Sequence, residues 1–475
     1  MINVAPASAR PAGTGQRLWA PLAWLDGHWQ RQVLLESGQD GCWARITPGV
    51  PQPADAQALG GPVLPAVVNA HSHAFQRGFA GLTERREQPQ DDFWSWREQM
   101  YSLALRVTPT QLRAIAALLY AELLEGGYSH VCEFHYLHHG PDGQPYSDRF
   151  AMSRALVDAA VDTGIGLTLL PVLYERAGFR QPVLGERQRR FRTTVGEVLA
   201  IRDEVRRWRV PNVSAGIAIH SLRAASHESM TELVRACQGD AGPIHIHIAE
   251  QQAEVDDCLA TTGHRPLAWL ARHLPIDQRW HLVHATHADA PDIDAIAATG
   301  ATVVVCPSTE ADLGDGRFQL EAFTGSSVPF SIGSDSHVCR NWPQELRLLE
   351  YGQRLALQRR NVAALPERGS NSTAETLFAQ VGRGGAAAAG FSSTEWGLRA
   401  GARADCLVLN AQASGLLAVE PHHLLDAAVF GCDAPPIDEV WVAGQRQVCG
   451  GRHRNRSTLQ QQFVQAMHAL TDAGH

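Results

Sequence analysis

Between residues 63 and 333, eight short apolar runs alternate with helix-like segments, and this alternation leaves very few architectures open. The runs are Val63–Val68, His130–Phe134, Ile165–Leu170, Ser214–Ile219, Pro243–Ile248, Trp280–Val283, Thr302–Val305 and Val328–Gly333. In the last, Pro329 is tolerable only near the start of a strand, because proline has no N–H to give to a ladder. The clearest helical segments are Thr110–Glu125, Arg149–Thr163, Thr194–Trp208 and Pro343–Gln358. The first places Leu112, Ile115, Leu118, Leu119 and Leu123 on one broad face. A (β/α)8 TIM-like barrel and a doubly wound open sheet share this local pattern. The barrel is favoured because polar groups sit just past many different strands, whose ends must then converge.

Outside this region both ends read as short strands with Gly and Pro between them. Leu18-Trp-Ala and Gln32-Val-Leu-Leu lie on one side; Ala404–Leu409 and Ile437–Ala443 lie on the other. The expected organisation is a small β-sandwich domain composed of residues 1–60 and 390–475, with a catalytic barrel over 61–389 inserted between its halves. The Gly- and Ala-rich stretch Gly382–Gly390 reads as a helix end and tight turn. It is not a phosphate loop, which needs Lys-Ser/Thr.

The polar groups past the strands point to a metal. His71 and His73 are two apart on an extended segment, so both imidazoles face one way. His247 ends the run Pro243–Ile248 and Glu250 lies just beyond it, while His245 shares the face of His247 and is expected to support it. His284 directly follows Trp280–Val283, with His287 more weakly placed, and Asp335 follows the last run. Three imidazoles and a carboxylate can hold one zinc with water as a further ligand. Zinc lowers the pKa of bound water from about 15.7 towards about 7. Glu250 is placed to move a proton to a leaving nitrogen, His284 to polarise the attacked centre, and Asp335 to accept the proton of the nucleophile. His and Asp ligate iron and manganese as well, so the sequence leaves the ion open between zinc and another divalent metal.

Composition narrows the chemistry. The chain has 475 residues, a formal charge of −8 and no lysine, so Schiff-base catalysis and a carboxylated-lysine bridge between two metals are excluded. The negative balance argues against a nucleic-acid partner, and the basic stretch Arg180–Arg207 reads as a solvated helix face or subunit contact. No run reaches the length of a membrane span, and Met1–Gly15 lacks the charged start and apolar core of a signal peptide. Nine cysteines without a CxxC pair fit a reducing compartment, so the expected location is cytoplasmic.

The order His-x-His, strand-borne His, later His and Gly-x-Asp resembles the amidohydrolase superfamily. More narrowly, Val68-Asn-Ala-His-Ser-His-Ala-Phe-Gln-Arg77, His245-Ile-His-Ile-Ala-Glu-Gln251 and Cys306-Pro-Ser-Thr-Glu-Ala-Asp-Leu-Gly-Asp-Gly316 resemble its branch that acts on N-formimino-L-glutamate in histidine degradation. The resemblance spans about residues 18 to 455. It implies a zinc-dependent aminohydrolase with one Zn2+ per subunit, ligated by His71, His73, His247 and Asp335, and with Glu250, His284 and Asp335 catalytic. It places Gln76, Arg97, Tyr136, His220 and Arg223 on the substrate. Two arginines suit a small dicarboxylate, since guanidinium binds carboxylate bidentately. Arg97 falls in Asp91-Asp-Phe-Trp-Ser-Trp-Arg97, expected as a loop over the barrel mouth. The implied products are N-formyl-L-glutamate and ammonia, and a homodimer is expected. Other readings are a guanine or triazine aminohydrolase, a hydrolase opening a cyclic amide, and a binding barrel without catalysis. A ring substrate calls for stacking aromatics and amide hydrogen bonds, whereas separated arginines call for carboxylates.

Overall fold

The computed structural model describes residues 15–85 and 93–472. Its centre is a ring of parallel strands: β1 (Val67–Ser72), β2 (Tyr128–His135), β3 (Gly166–Leu173), β4 (Ile217–Ile219), β5 (Ile244–Ile248), β6 (Trp280–His284), β7 (Thr302–Val305) and β8 (Phe330–Ile332). Val213–Ala215 extends β4 backwards along β3. The ring closes where the N–H groups of Ser334 and Asp335 donate to the carbonyl of His71, each at 3.1 Å, and His73 N–H donates to the carbonyl of Asp335 at 3.2 Å. The strands are buried on both faces, as apolar runs between helices require. Pro329 stands immediately before β8, where its missing N–H is harmless.

The helices begin where the sequence supplies caps. Thr108 and Gln111 form a reciprocal capping box at the start of Pro109–Glu125, and Thr194 and Glu197 do the same for Val195–Trp208. The stretch Gly382–Gly390 does hold a helix end and a turn, the helix Thr373–Ala388 closing at Gly390 with φ 82°, while Gly382, Gly384 and Gly385 lie inside the helix. A Cβ on Gly384 would stand 2.3 Å from the carbonyl oxygen of Phe330, and one on Gly385 would stand 3.0 Å from Val68 Cβ. Glycine there lets the helix lie directly against β8 and β1.

Both chain ends build a second, mainly antiparallel sheet. Arg17–Leu25, His28–Ser37 and Trp43–Thr47 come from one end, and Cys406–Leu409, Ile437–Val442, Gln445–Cys449 and Arg452–His453 from the other. Leu18, Val33, Leu35, Trp43, Cys406 and Trp441 pack as its own apolar cluster. The run Val63–Val68 is split between the two sheets. Val63–Pro65 joins the terminal sheet, with Val63 opposite Val408 and Ala23, and the barrel starts only at Val67. The basic stretch is not wholly solvated: Arg190 is fully buried, donating to the carbonyls of His139 and Ala104 and to the Tyr146 hydroxyl. Among the described residues no helix is long and apolar enough to cross a membrane.

Candidate metal centre and cavity

At the C-terminal rim of the barrel, β1 presents His71 and His73 inward, while Ser72 between them points outward and donates to Glu133 at 2.6 Å. His247 arrives from the end of β5. Its Nε2 lies 3.0 Å from His71 Nε2, which lies 3.2 Å from His73 Nε2. Asp335 Oδ1 is 3.6 Å from the first of the β1 imidazoles, that of His71, and 3.4 Å from the second, that of His73. His73 Nδ1 faces the carbonyl of Phe134 at 3.0 Å, so it carries the proton and leaves Nε2 as a lone pair aimed into the cluster. Burial holds His73 down to about 3, and burial followed by the neighbouring imidazoles depresses His71 and His247 well below the ordinary range. The cluster is therefore neutral. His71 Nδ1 has no hydrogen-bond partner among the described residues, and three imidazole nitrogens this close are suited to share one cation. Tetrahedral zinc with Zn–N near 2.1 Å separates its nitrogens by roughly 3.4 Å, which these distances fit.

His284, at the end of β6, is the opposite case. Its Nδ1 lies 3.2 Å from Glu310 Oε1, and its Nε2 lies 3.6 Å from Glu250 Oε1 and 3.8 Å from Asp335 Oδ2. Burial alone would depress it, but the carboxylates of Glu250, Glu310 and Asp335 outweigh that and push it up to about 10. These carboxylates favour its protonated form. Burial raises Asp335 to about 7, with His284 opposing. The backbone is unusual here too. Ala249, His284, Ala285, Asp335 and His337 all have φ between 45° and 72°, a left-handed conformation that residues other than glycine rarely adopt. Such outliers gather where strand ends are bent to aim side chains.

Above the cluster lies a small cavity open to the rim. It is lined by His73, His247, Glu250, His284 and Asp335 at one end and by Gln76, Arg97, Tyr136, His220 and Arg223 among others. Gln76 donates through Nε2 to the Tyr136 hydroxyl at 2.9 Å, and its buried Oε1 has no partner among the described residues. His220 stacks on Tyr174 at 4.2 Å. Arg97 is not on a loop but on the helix Phe93–Ala104; Asp91 and Asp92 lie outside the described residues. His245 makes no bond to the cluster: its Nε2 donates to the Ala388 carbonyl at 2.9 Å and its ring lies against His281. His287 meets the carbonyl of Asp315 at 2.8 Å and does not line the cavity.

Sequence reasoning missed Glu310, Asp315, Tyr101 and Tyr174. Asp315 stands beside Glu250 and His284, and the two tyrosines line the cavity. Glu310 and Asp315 belong to the motif Cys306–Gly316, but an acid in the first turn of a helix, as Glu310 is, is ordinary, and Asp315 just past the C-cap Gly314 reads as a loop acid, so neither stood out as functional.

A barrel with three clustered imidazoles, a carboxylate and an acid-flanked fourth histidine at its C-terminal rim is the arrangement of a metal-dependent hydrolase. Residues 63–446 match the amidohydrolase family, and the chain belongs to it. Among curated proteins it is 43% identical to the formimidoylglutamate deiminase of Pseudomonas aeruginosa, over 96% of this chain and 99% of that one. Among solved structures it superposes on an amidohydrolase from Brucella melitensis with a TM-score of 0.91 and 39% identity, covering 96% of this chain and 100% of that one. An adenosine deaminase from Xanthomonas campestris with bound zinc shares the fold, with a TM-score of 0.78 at 19% identity, over 96% and 98% of the two chains.

Proposed function

We propose that this protein hydrolyses N-formimino-L-glutamate to N-formyl-L-glutamate and ammonia, a step of histidine degradation. The observation that carries this reading is a cavity with a metal-ligating, acidic end and two arginines in its lining, matched to a substrate with a formimino group and two carboxylates. The 43% identical deiminase supports it.

His71, His73, His247 and Asp335 would hold one zinc ion per subunit, which supplies Lewis acidity and draws the pKa of water towards about 7. Asp335 Oδ2 faces His284 while Oδ1 faces the histidine cluster, so it is positioned to take a proton from the attacking water. Attack on the formimino carbon turns its C=N into a single bond. The imidazolium of His284 stabilises the negative charge that develops, and Glu250 carries the proton to the departing nitrogen. The nitrogen leaves as ammonia with both of the water's protons, one delivered as the C=N becomes a single bond and one, held by Asp335, as the C–N bond breaks, and the carbon keeps the water oxygen as the formyl carbonyl. Gln76 Oε1 accepts from a substrate N–H, with Tyr136 fixing the amide, and Arg97 and Arg223 bind carboxylates. The active form is read as a homodimer in the cytoplasm.

The test is a substrate panel on zinc-loaded protein. N-formimino-L-glutamate is turned over and a chelator abolishes turnover. Turnover of guanine or a triazine with none of N-formimino-L-glutamate contradicts the proposal.

A further inference from the structure

Gln188 lies in the short turn Glu186–Gln188, in the loop after β3, with its side chain buried. The two ends of its amide can be told apart. Oε1 lies 2.9 Å from the backbone N of Gly185, and a backbone N–H can only donate, so the carbonyl end is fixed there. The amide nitrogen therefore faces the other way, 3.2 Å from the Tyr101 hydroxyl and 2.7 Å from that of Tyr174. Its two protons serve two oxygens. Both phenol oxygens accept from Gln188, and neither phenol proton can go back to it.

The direction of those protons matters because of what surrounds them. Tyr101 and Tyr174 are buried, and both line the cavity with Arg97, Arg223 and His220. The Arg97 guanidinium carbon lies 5.5 Å from the centre of the Tyr101 ring. Burial first, then the neighbouring Tyr101, keeps the Tyr174 phenol protonated, while both arginines act on it in the opposite sense. One phenol proton can pass to the adjacent hydroxyl; the other is left for whatever fills the cavity. A buried O–H beside two guanidiniums is a directional donor suited to a carboxylate.

Resting on the function proposed above, we propose that Tyr101 and Tyr174 bind a substrate carboxylate together with Arg97 and Arg223. Gln188 is a positioning residue: its amide sets the direction in which the phenols donate. The arginines supply charge, whereas the tyrosines supply fixed, directional donors that select a carboxylate over a neutral amide.

The experiment uses zinc-loaded full-length protein with two probes: N-formimino-L-glutamate for turnover, and glutarate, which carries both carboxylates and no formimino group, for binding by calorimetry. In the double variant Y101F/Y174F, KM and the glutarate Kd both rise at least tenfold, with the loss on KM rather than kcat and with zinc content and Tm retained. Gln188→Glu keeps an acceptor for Gly185 N–H but offers the tyrosines an acceptor in place of a donor. It therefore draws their protons away and raises KM and Kd although both tyrosines remain. Unchanged KM and Kd in both variants, or a loss confined to kcat, overturns the proposal. Wild-type protein that binds glutarate but does not turn over N-formimino-L-glutamate overturns the reaction instead, and the glutarate Kd of the variants still decides the carboxylate site.

Discussion

Glu310 Oε1 stands 3.2 Å from His284 Nδ1 and also accepts the N–H of Cys306 at 2.9 Å, so the strand end at β7 fixes the ring at the end of β6. The Glu310 carboxylate favours a proton on this buried imidazole. On the proposed mechanism His284 works as an imidazolium, and the alkaline limb of kcat/KM falls as pH rises towards about 10, where its proton is lost. Glu310→Gln can accept the same two hydrogen bonds but removes the negative charge. Without that charge the cation is less favoured, and the alkaline limb moves to lower pH by about one unit. A pH–rate profile of the two proteins checks this; an unmoved limb assigns the proton elsewhere.

Glu250 faces His284 from outside the proposed ligand set. Glu250→Gln should therefore keep its zinc while kcat drops by about 10²- to 10⁴-fold, the range for a lost proton carrier. His247→Ala should lose both zinc and activity. Metal analysis beside steady-state kinetics separates the two outcomes.

Arg223 is proposed to grip a carboxylate with a planar fork. Lysine keeps the charge but not the fork, so Arg223→Lys should raise KM by about 10- to 100-fold, given about 1.5–3 kcal/mol for a charge-assisted hydrogen bond. Kinetics with N-formimino-L-glutamate measure it, and an unchanged KM removes Arg223 from the substrate.

Two glycines of one helix make a paired stability prediction. Alanine gains about 1 kcal/mol over glycine in a helix. Gly382 has nothing within 4 Å of a Cβ, so Gly382→Ala should be neutral or stabilising. At Gly384 the Cβ would stand 2.3 Å from a backbone carbonyl that cannot swing away. The clash outweighs propensity, and Gly384→Ala should destabilise by about 1–3 kcal/mol. Denaturant melts of both variants decide it.

The residues that were legible in the sequence were those whose spacing carries direction. His71 and His73 share a face because strand side chains alternate, His247 stands near the end of an apolar run, and His284 and Asp335 sit just past one. The tyrosines were not legible. Tyr101 and Tyr174 come from a helix and from the end of β3, and only in the fold does the buried amide of Gln188 link their hydroxyls. The run Val63–Val68 hides a change of sheet because both sheets want apolar residues, and hydrophobicity alone does not mark where the chain crosses. Arg97 was misplaced on a loop because aromatic and polar residues mix in that segment without a helical stripe. Arg190 escaped notice because it stands among surface arginines, and its burial depends on carbonyls brought from His139 and Ala104.

The central claim is that groups remote in sequence meet around one cation and expel the terminal nitrogen of a formimino group. N-formimino-L-glutamate carrying 15N at that nitrogen, incubated with zinc-loaded protein, tests it in one product analysis. The label should appear in ammonia, in equal amount with unlabelled N-formyl-L-glutamate. Label recovered in formamide, with free glutamate beside it, would place the bond cleavage on the other side of the carbon and contradict the account.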